Sequence, residues 1–166
     1  MPPKPAGQEY AIDIADVQEI VQVPAQIIQA MLAESGINLV IDTQENVTGL
    51  NNGAKGDFEA LFSFWSGRPD PDGNTFQFFK TQQGSGLNWA GYSNPKVDEI
   101  LDKTREASDQ GERKKLYSEL VKILQDDCPW LFVIHPVEPK AFTPKLQAYD
   151  PIPDGMMRFK NVWLKA

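Results

Sequence analysis

Residues 10–41 read YAIDIADVQEIVQVPAQIIQAMLAESGINLVI, and their pattern decides the fold class. Tyr10, Ile12 and Ile14 alternate with Ala11 and Asp13, the period of a strand with one apolar face. Asp16 and Glu19 stand at capping-box spacing and open a helix. Ile20, Val23, Ile27, Met31 and Leu32 recur at helical spacing and are read as its apolar face. Pro24 falls inside that helix, where its missing N–H predicts a kink or a restart. Gly36 supplies a C′ stop. Ile37, Leu39 and Ile41 then alternate as a second strand.

The pattern continues in both register and order. Residues 47–55 predict a short helix or turn closed by Gly53 and Gly56. Residues 58–65 form a near-continuous apolar run, which predicts a third strand covered on both faces. Alternating strands and helices of this kind predict an α/β (α+β) fold, a layered sheet with flanking helices. Residues 67–91 are rich in Gly, Asn, Ser and Pro and predict a long ordered loop with a helical turn near 75–80. Loops of that length inside a domain are often functional. Asn94 before Pro95 marks a helix start, an N-cap followed by Pro at N1. Val97, Ile100, Leu101 and Thr104 share one face of that helix. Asp109 and Glu112 open another, whose apolar face is Leu116, Leu120, Ile123 and Leu124. Together they predict a helical hairpin over the sheet. Pro129 ends the helical run, residues 130–134 read as a buried strand, and short strands are expected near 140–143 and near Val162. Residues 1–7 are read as a linker or cut end, and 8–166 as one domain.

A length of 166 residues suffices for a single core. Hydrophobic and charged fractions of 41% and 23% are those of an ordinary globular chain, which excludes disorder over its whole length. The net charge of −7 argues against nucleic acid as a partner. No apolar run approaches membrane-spanning length, and no secretory h-region is visible at the start. The single cysteine, Cys128, is read as a small buried residue and permits no internal disulfide. The single histidine, His135, is read as structural at a strand end. One Cys and one His cannot make a zinc cluster, no phosphate-binding glycine pattern is present, and no cofactor is expected.

The residues with most chemistry follow the third strand: Trp65, Ser66, Gly67, Arg68, Pro69, Asp70, Pro71, Asp72, Gly73 and Asn74. Ligands gather beyond the C-terminal ends of strands in open α/β sheets. A flat indole, a fixed cation, an acid and backbone amides in one turn can hold a zwitterion. Carboxylate would pair with Arg68, ammonium with Asp70, and Trp65 would cover apolar surface. An Arg–Asp pair that merely staples its own loop fits the same residues, so both readings stand. Asp70 and Asp72 do not have the spacing of a calcium loop, and no metal site is expected. Asn88 and Trp89 form a second cluster with Tyr92. Tyr92 is read as packing, while Trp89 either lines a cleft or packs beneath the loop.

Residues 64–74, then Gly91-Tyr92-Ser93-Asn94-Pro95-Lys96-Val97-Asp98, the paired helices and Cys128-Pro129-Trp130 closely resemble the C-terminal region of peptide-type solute-binding proteins of ABC importers. Residues 26–37 are similar to the first helix of that lobe, and residues 153–164 to the family's usual close. The resemblance implies one lobe of a periplasmic-binding-protein-like, Venus-flytrap fold that closes on a peptide, opine, glutathione, metal chelate or similar solute and delivers it to a permease. It implies that the loop carrying Trp65, Arg68 and Asp70 faces the cleft, with Asp70 meeting a ligand ammonium and Asp72 held in reserve. Ser66, Gly67, Asn74, Asn88 and Trp89 complete the expected ligand-binding set.

The sequence departs from the family in lacking an N-terminal lobe and an export signal, and in placing Pro24 where the family keeps an uninterrupted helix. The first two imply an isolated lobe, natural or engineered, of a periplasmic or other extracytoplasmic protein. Its expected partners are a small solute, most simply a peptide, the permease and the N-terminal lobe. Two other readings are kept. A scaffold of the same fold would self-associate through apolar surface that a missing lobe leaves bare. A hydrolase would need Asp70 and Asp72 as a carboxyl pair with a raised pKa. The expectation is a binding module and not an enzyme.

Overall fold

The computed structural model describes residues 9–14, 19–81, 86–135, 137, 139–152 and 156–165. Strand β1 (Glu9–Ile14) lies at the centre of a three-stranded parallel sheet. On one side it pairs with β2 (Asn38–Thr43), in the register Tyr10 to Leu39 and Ile12 to Ile41. On the other it pairs with β3 (Ala60–Phe62), Ile12 to Ala60 and Ile14 to Phe62. Parallel strands need a crossover element between them. Here these are α1 (Glu19–Glu34) and α2 (Asn46–Lys55).

Helix α1 runs without restart through Pro24. Its buried face is not the expected one. Ile20, Val23, Ile27 and Met31 are exposed, whereas Val21 and Ala25 are buried against Ile41 and Phe62. Residues 21, 25, 28 and 32 also recur at helical spacing. The sequence therefore carries two apolar stripes, and the position of the sheet decides which one turns inward. Gln29 fixes the choice by donating to the Leu39 carbonyl at 2.6 Å. Asp16, half of the expected capping box, lies outside the described residues.

Both helices end in the same way. Ile37 N–H donates to the Leu32 carbonyl and Gly36 N–H to that of Ala33, with Gly36 at φ 77°. Asp57 and Gly56 repeat the arrangement on Asn52 and Gly53. Each is a 6→1 and 5→2 pair closed by a left-handed residue, a conformation glycine adopts without strain. Gly53 itself is not a stop. It lies inside α2, and an added Cβ would come within 2.6 Å of Trp89 Cε3.

The third strand is shorter than its apolar run. Ala60, Leu61 and Phe62 are only half-buried, and Phe64 and Trp65 lie beyond the strand with 46% and 36% of their surface exposed. Apolarity alone gives no period, so the run overstated both the strand and its cover.

Helices α3 (Asp72–Phe79), α4 (Pro95–Glu106) and α5 (Gln110–Asp127) form a second layer. Asn94 caps α4 by accepting from Lys96 N–H, and Asp109 caps α5 by accepting from Glu112 N–H. Val97, Ile100, Leu101 and Thr104 are all buried, as their spacing predicts. Leu120 and Leu124 meet them from α5, with Leu116 and Ile123 at the margin. The hairpin packs on Phe78 and Phe79 of α3 rather than over the sheet, because those two phenylalanines offer α4 an apolar face.

The remaining chain departs most from expectation. Cys128 is exposed and caps α5 at φ 45°. Residues 131–134 are exposed and form no strand, since no sheet edge reaches them. His135 is exposed for the same reason. Pairing falls not at 140–143 but between β4 (Leu146–Gln147) and β5 (Trp163–Leu164), the latter next to Val162. No helix among the described residues is long and apolar enough to cross a membrane.

Leu101 has no exposed surface. Leu101→Ala should cost about 2–5 kcal/mol of unfolding free energy, by lost transfer energy and the cavity left behind. Denaturant titration of the variant checks this; a loss near zero would show that α4 and α5 do not share a rigid core.

Candidate functional site

The chain leaves β3 at its C-terminal end and turns through residues 63–71 into α3. Asn74 organises this turn. Its Oδ1 accepts from the Trp65 indole at 3.1 Å and from Arg68 N–H at 2.7 Å. Its Nδ2 donates to the carbonyls of Arg68 at 2.7 Å and Asp70 at 3.4 Å. One short amide thus holds both limbs of the loop, an economy that Asn offers because it carries both donors and acceptors.

Trp65 is held between the core and solvent. Its ring meets Phe78 edge-on with centroids 5.0 Å apart, and the Arg68 guanidinium lies 4.5 Å from the indole centroid. Phe78 in turn packs on Trp130 and Phe79. Arg68 Nη1 donates to the Gly67 carbonyl at 2.7 Å and to Ser66 Oγ at 3.2 Å. Gly73 makes room for the stem of Arg68, since a Cβ there would lie 2.9 Å from Arg68 Cγ.

The two acids point elsewhere. Arg113 of α5 binds both oxygens of Asp70, Nη1 to Oδ2 at 3.0 Å and Nη2 to Oδ1 at 2.8 Å. Arg105 of α4 binds both oxygens of Asp72, Nε to Oδ1 at 2.7 Å and Nη2 to Oδ2 at 3.0 Å. Arg105 also stacks on Phe76, 3.2 Å from the ring centroid. These are fork-to-fork pairs, in which the planar guanidinium fixes direction as well as charge. The bond from Arg113, with a further bond from Asp72 N–H, holds the Asp70 carboxyl below its usual range. A hydrolytic acid would need the opposite shift.

The second predicted cluster stands apart. Asn88 donates to the carbonyls of Lys80 and Tyr92 and accepts from Tyr92 N–H, so it pins its own loop. Trp89 packs on Gly53 and donates its indole N–H to the Gly86 carbonyl at 3.0 Å. Both line a recess of about 160 Å³ with Gly53, Ala54, Lys55, Gly56 and Gly86. Among the described residues, no hydrogen bond or ring contact joins this cluster to Trp65 or Arg68. Of the predicted site residues, the structure brings Trp65, Ser66, Gly67, Arg68, Asp70, Asp72 and Asn74 together and leaves Asn88 and Trp89 outside.

Two polar groups escaped the sequence reading. Asp13 is buried in β1, and burial, then Asp42, Asp57 and Glu59, push its carboxyl up. Gln44 donates to both Asp13 and Asp42 and accepts from Asn52. Alternation along β1 placed Asp13 on the solvent side, and no local signal shows that a neighbouring element covers it. Tyr92 donates its hydroxyl to Asp127, which also accepts from Asn94. Among the described residues, no cluster of His, Cys, Asp and Glu could hold a metal ion.

No family model matches the chain. Among curated proteins it is 34% identical over 143 residues to "Probable di/tripeptide-binding protein 5" of Pseudomonas aeruginosa, an overlap of 85% of this chain and 27% of that protein. Its relatives are peptide-type solute-binding proteins, and the chain matches a part of them. It is also 25% identical over 142 residues to the dipeptide-binding protein of Escherichia coli, covering 83% of this chain and 26% of that one. The fold agrees. The oligopeptide-binding protein AppA of Bacillus subtilis, solved with a nonapeptide, superposes with a TM-score of 0.74 at 21% identity, over 95% of this chain and 32% of that one. The periplasmic binding protein DppA of Helicobacter pylori, solved with the peptide STSA, gives 0.68 at 28% identity, over 75% and 25%. The chain spans about a quarter of the length of the curated relatives it matches.

The surroundings of Tyr92 set a pH dependence. Burial first, and the hydrogen bond to Asp127 second, raise the Tyr92 phenol from 10.0 to about 12. A group that holds its proton more tightly when folded adds stability that is complete below the unfolded value and lost as pH climbs through the folded one. The melting-temperature advantage of the wild type over Tyr92→Phe should therefore be full below pH 10.0 and shrink toward about pH 12. Thermal scans across that window check it; a constant difference would mean that folding does not raise the phenol.

Proposed function

We propose that residues 8–166 form the C-terminal, ligand-binding lobe of an extracytoplasmic solute-binding protein, which carries peptides or similar small solutes to an ABC importer. The lobe acts by binding and not by catalysis. One observation carries this reading: the loop after β3 is rigidly built yet leaves Trp65 and Arg68 at an open surface. A loop meant only to connect β3 to α3 needs neither the Asn74 hub nor two arginine forks from separate helices. Binding sites need such preorganisation, because ordering a loop on contact would consume affinity.

The proposed ligand face is Trp65, Ser66, Gly67 and Arg68, shaped by Asn74 and by the paired Asp70 and Asp72. Asn88 and Trp89 border a separate recess and are proposed as a flank of the cleft. The other wall is proposed to come from an N-terminal lobe, and the partner in transport is the permease. The relatives named as di/tripeptide- and dipeptide-binding proteins support a short peptide as the solute.

One lobe supplies part of the contacts, so binding by this chain should be weak, with Kd on the order of 1 mM. Titration of isotope-labelled chain with di- and tripeptides should move the Trp65 indole N–H resonance and the amides of residues 65–74. Trp65→Ala should abolish the response in the rest of the loop. Shifts confined to other surfaces, or none at ligand of about 10 mM, would overturn the proposal.

A further inference from the structure

The charges on the ligand loop do not balance at its surface. It carries one arginine and two aspartates, which on paper make an acidic site. Yet both oxygens of Asp70 are bound by Arg113 and both oxygens of Asp72 by Arg105, at 2.7–3.0 Å. Each acid is therefore neutralised by a cation from a different helix. Among the described residues, Arg68 makes no ion pair, and neither its Nε nor its Nη2 has a partner. The guanidinium carbon lies over the Trp65 ring, 4.5 Å from its centroid, and Arg68 is exposed.

We infer that this loop selects a carboxylate and not an ammonium: Arg68, held over Trp65, is its anion-binding group, and Asp70 and Asp72 are positioning residues committed to Arg113 and Arg105. This rests on the proposed binding role and names the ligand chemistry at the same site.

Three physical points support it. A guanidinium fork matches a carboxylate in two parallel hydrogen bonds, and Arg68 keeps that edge open. The indole beneath it and the two bonds of Nη1 restrain the guanidinium, so less rotamer freedom is left to lose on binding. Finally, an ammonium reaching Asp70 would have to compete with an arginine already seated in bidentate geometry. An incoming ammonium exchanges one ion pair for another and gains little. The reserve acid is no better placed, because Asp72 is half-covered and its fork is stacked on Phe76.

The test uses the isotope-labelled chain and three small probes. N-acetyl-alanyl-alanine offers a terminal carboxylate and no ammonium. N-acetyl-aspartyl-alaninamide offers only a side-chain carboxylate. Alanyl-alaninamide offers only an ammonium. At least one acid probe should bind at Trp65 roughly tenfold more tightly than the ammonium probe, the difference that a charge-assisted pair supplies. The tighter of the two acids identifies whether the carboxylate comes from a peptide terminus or a side chain. Arg68→Gln should erase the preference, and Arg68→Lys should restore part of it. Arg113→Gln frees Asp70 without removing its charge, and should shift the preference toward alanyl-alaninamide. A purely structural role for Arg113 would weaken all three probes alike.

The two levels fail differently. If alanyl-alaninamide moves the Trp65 resonance as tightly as the acids, and Asp70→Asn abolishes that response, the loop is a ligand site but Asp70 is its anchor and the inference is wrong. If no probe moves the loop in wild type, the binding role itself fails.

Discussion

Two guanidinium forks tie the loop after β3 and the start of α3 to the helical hairpin. Asp70 lies at the end of that loop and Asp72 opens α3, and they are caught by Arg113 on α5 and Arg105 on α4. A single exposed ion pair contributes little on its own, because solvent screens it and two long side chains lose freedom. These pairs differ in geometry. Each is bidentate, both reach one short segment from separate helices, and Arg105 is further held over Phe76. Their consequence is orientation. With Asp70 and Asp72 fixed, Asn74 can bridge the two limbs of the loop, and Trp65 has one place to lie, against Phe78.

This arrangement explains how a chain with net charge −7 presents a cation at its proposed binding face. The acids nearest that face are committed internally. What the loop offers to a guest is set by the pairing and not by the composition of the segment. The same logic separates the hydrolase reading from the binding reading. Carboxyls that catalyse need a raised pKa, and the Arg113 fork lowers that of Asp70.

Much of the fold was legible in the sequence, and the legible parts share a cause. Helices α4 and α5 announce themselves by Asn94-Pro95, by Asp109 with Glu112, and by one apolar stripe each, all of which are local signals. The site segment was legible as a cluster because its residues are adjacent in the chain. Its wiring was not, since Arg105 and Arg113 lie more than thirty residues downstream of the acids they bind. Helix α1 failed for a different reason. It bears two apolar stripes, and only packing against Ile41 and Phe62 decides between them. Residues 131–134 failed because an apolar run has no period, and a strand exists only where an edge accepts it.

Cys128 offers a practical opening. It is the sole cysteine of the sequence, it is exposed, and its backbone is fixed in a left-handed turn at the end of α5, beside the carboxylate that receives Tyr92 and Asn94. A maleimide dye or nitroxide would therefore attach at one chemically unique point on a rigid helix terminus. Such a reporter needs no engineered thiol and leaves the aromatic core intact, so motion of this lobe against any other body can be followed by fluorescence transfer or electron spin resonance.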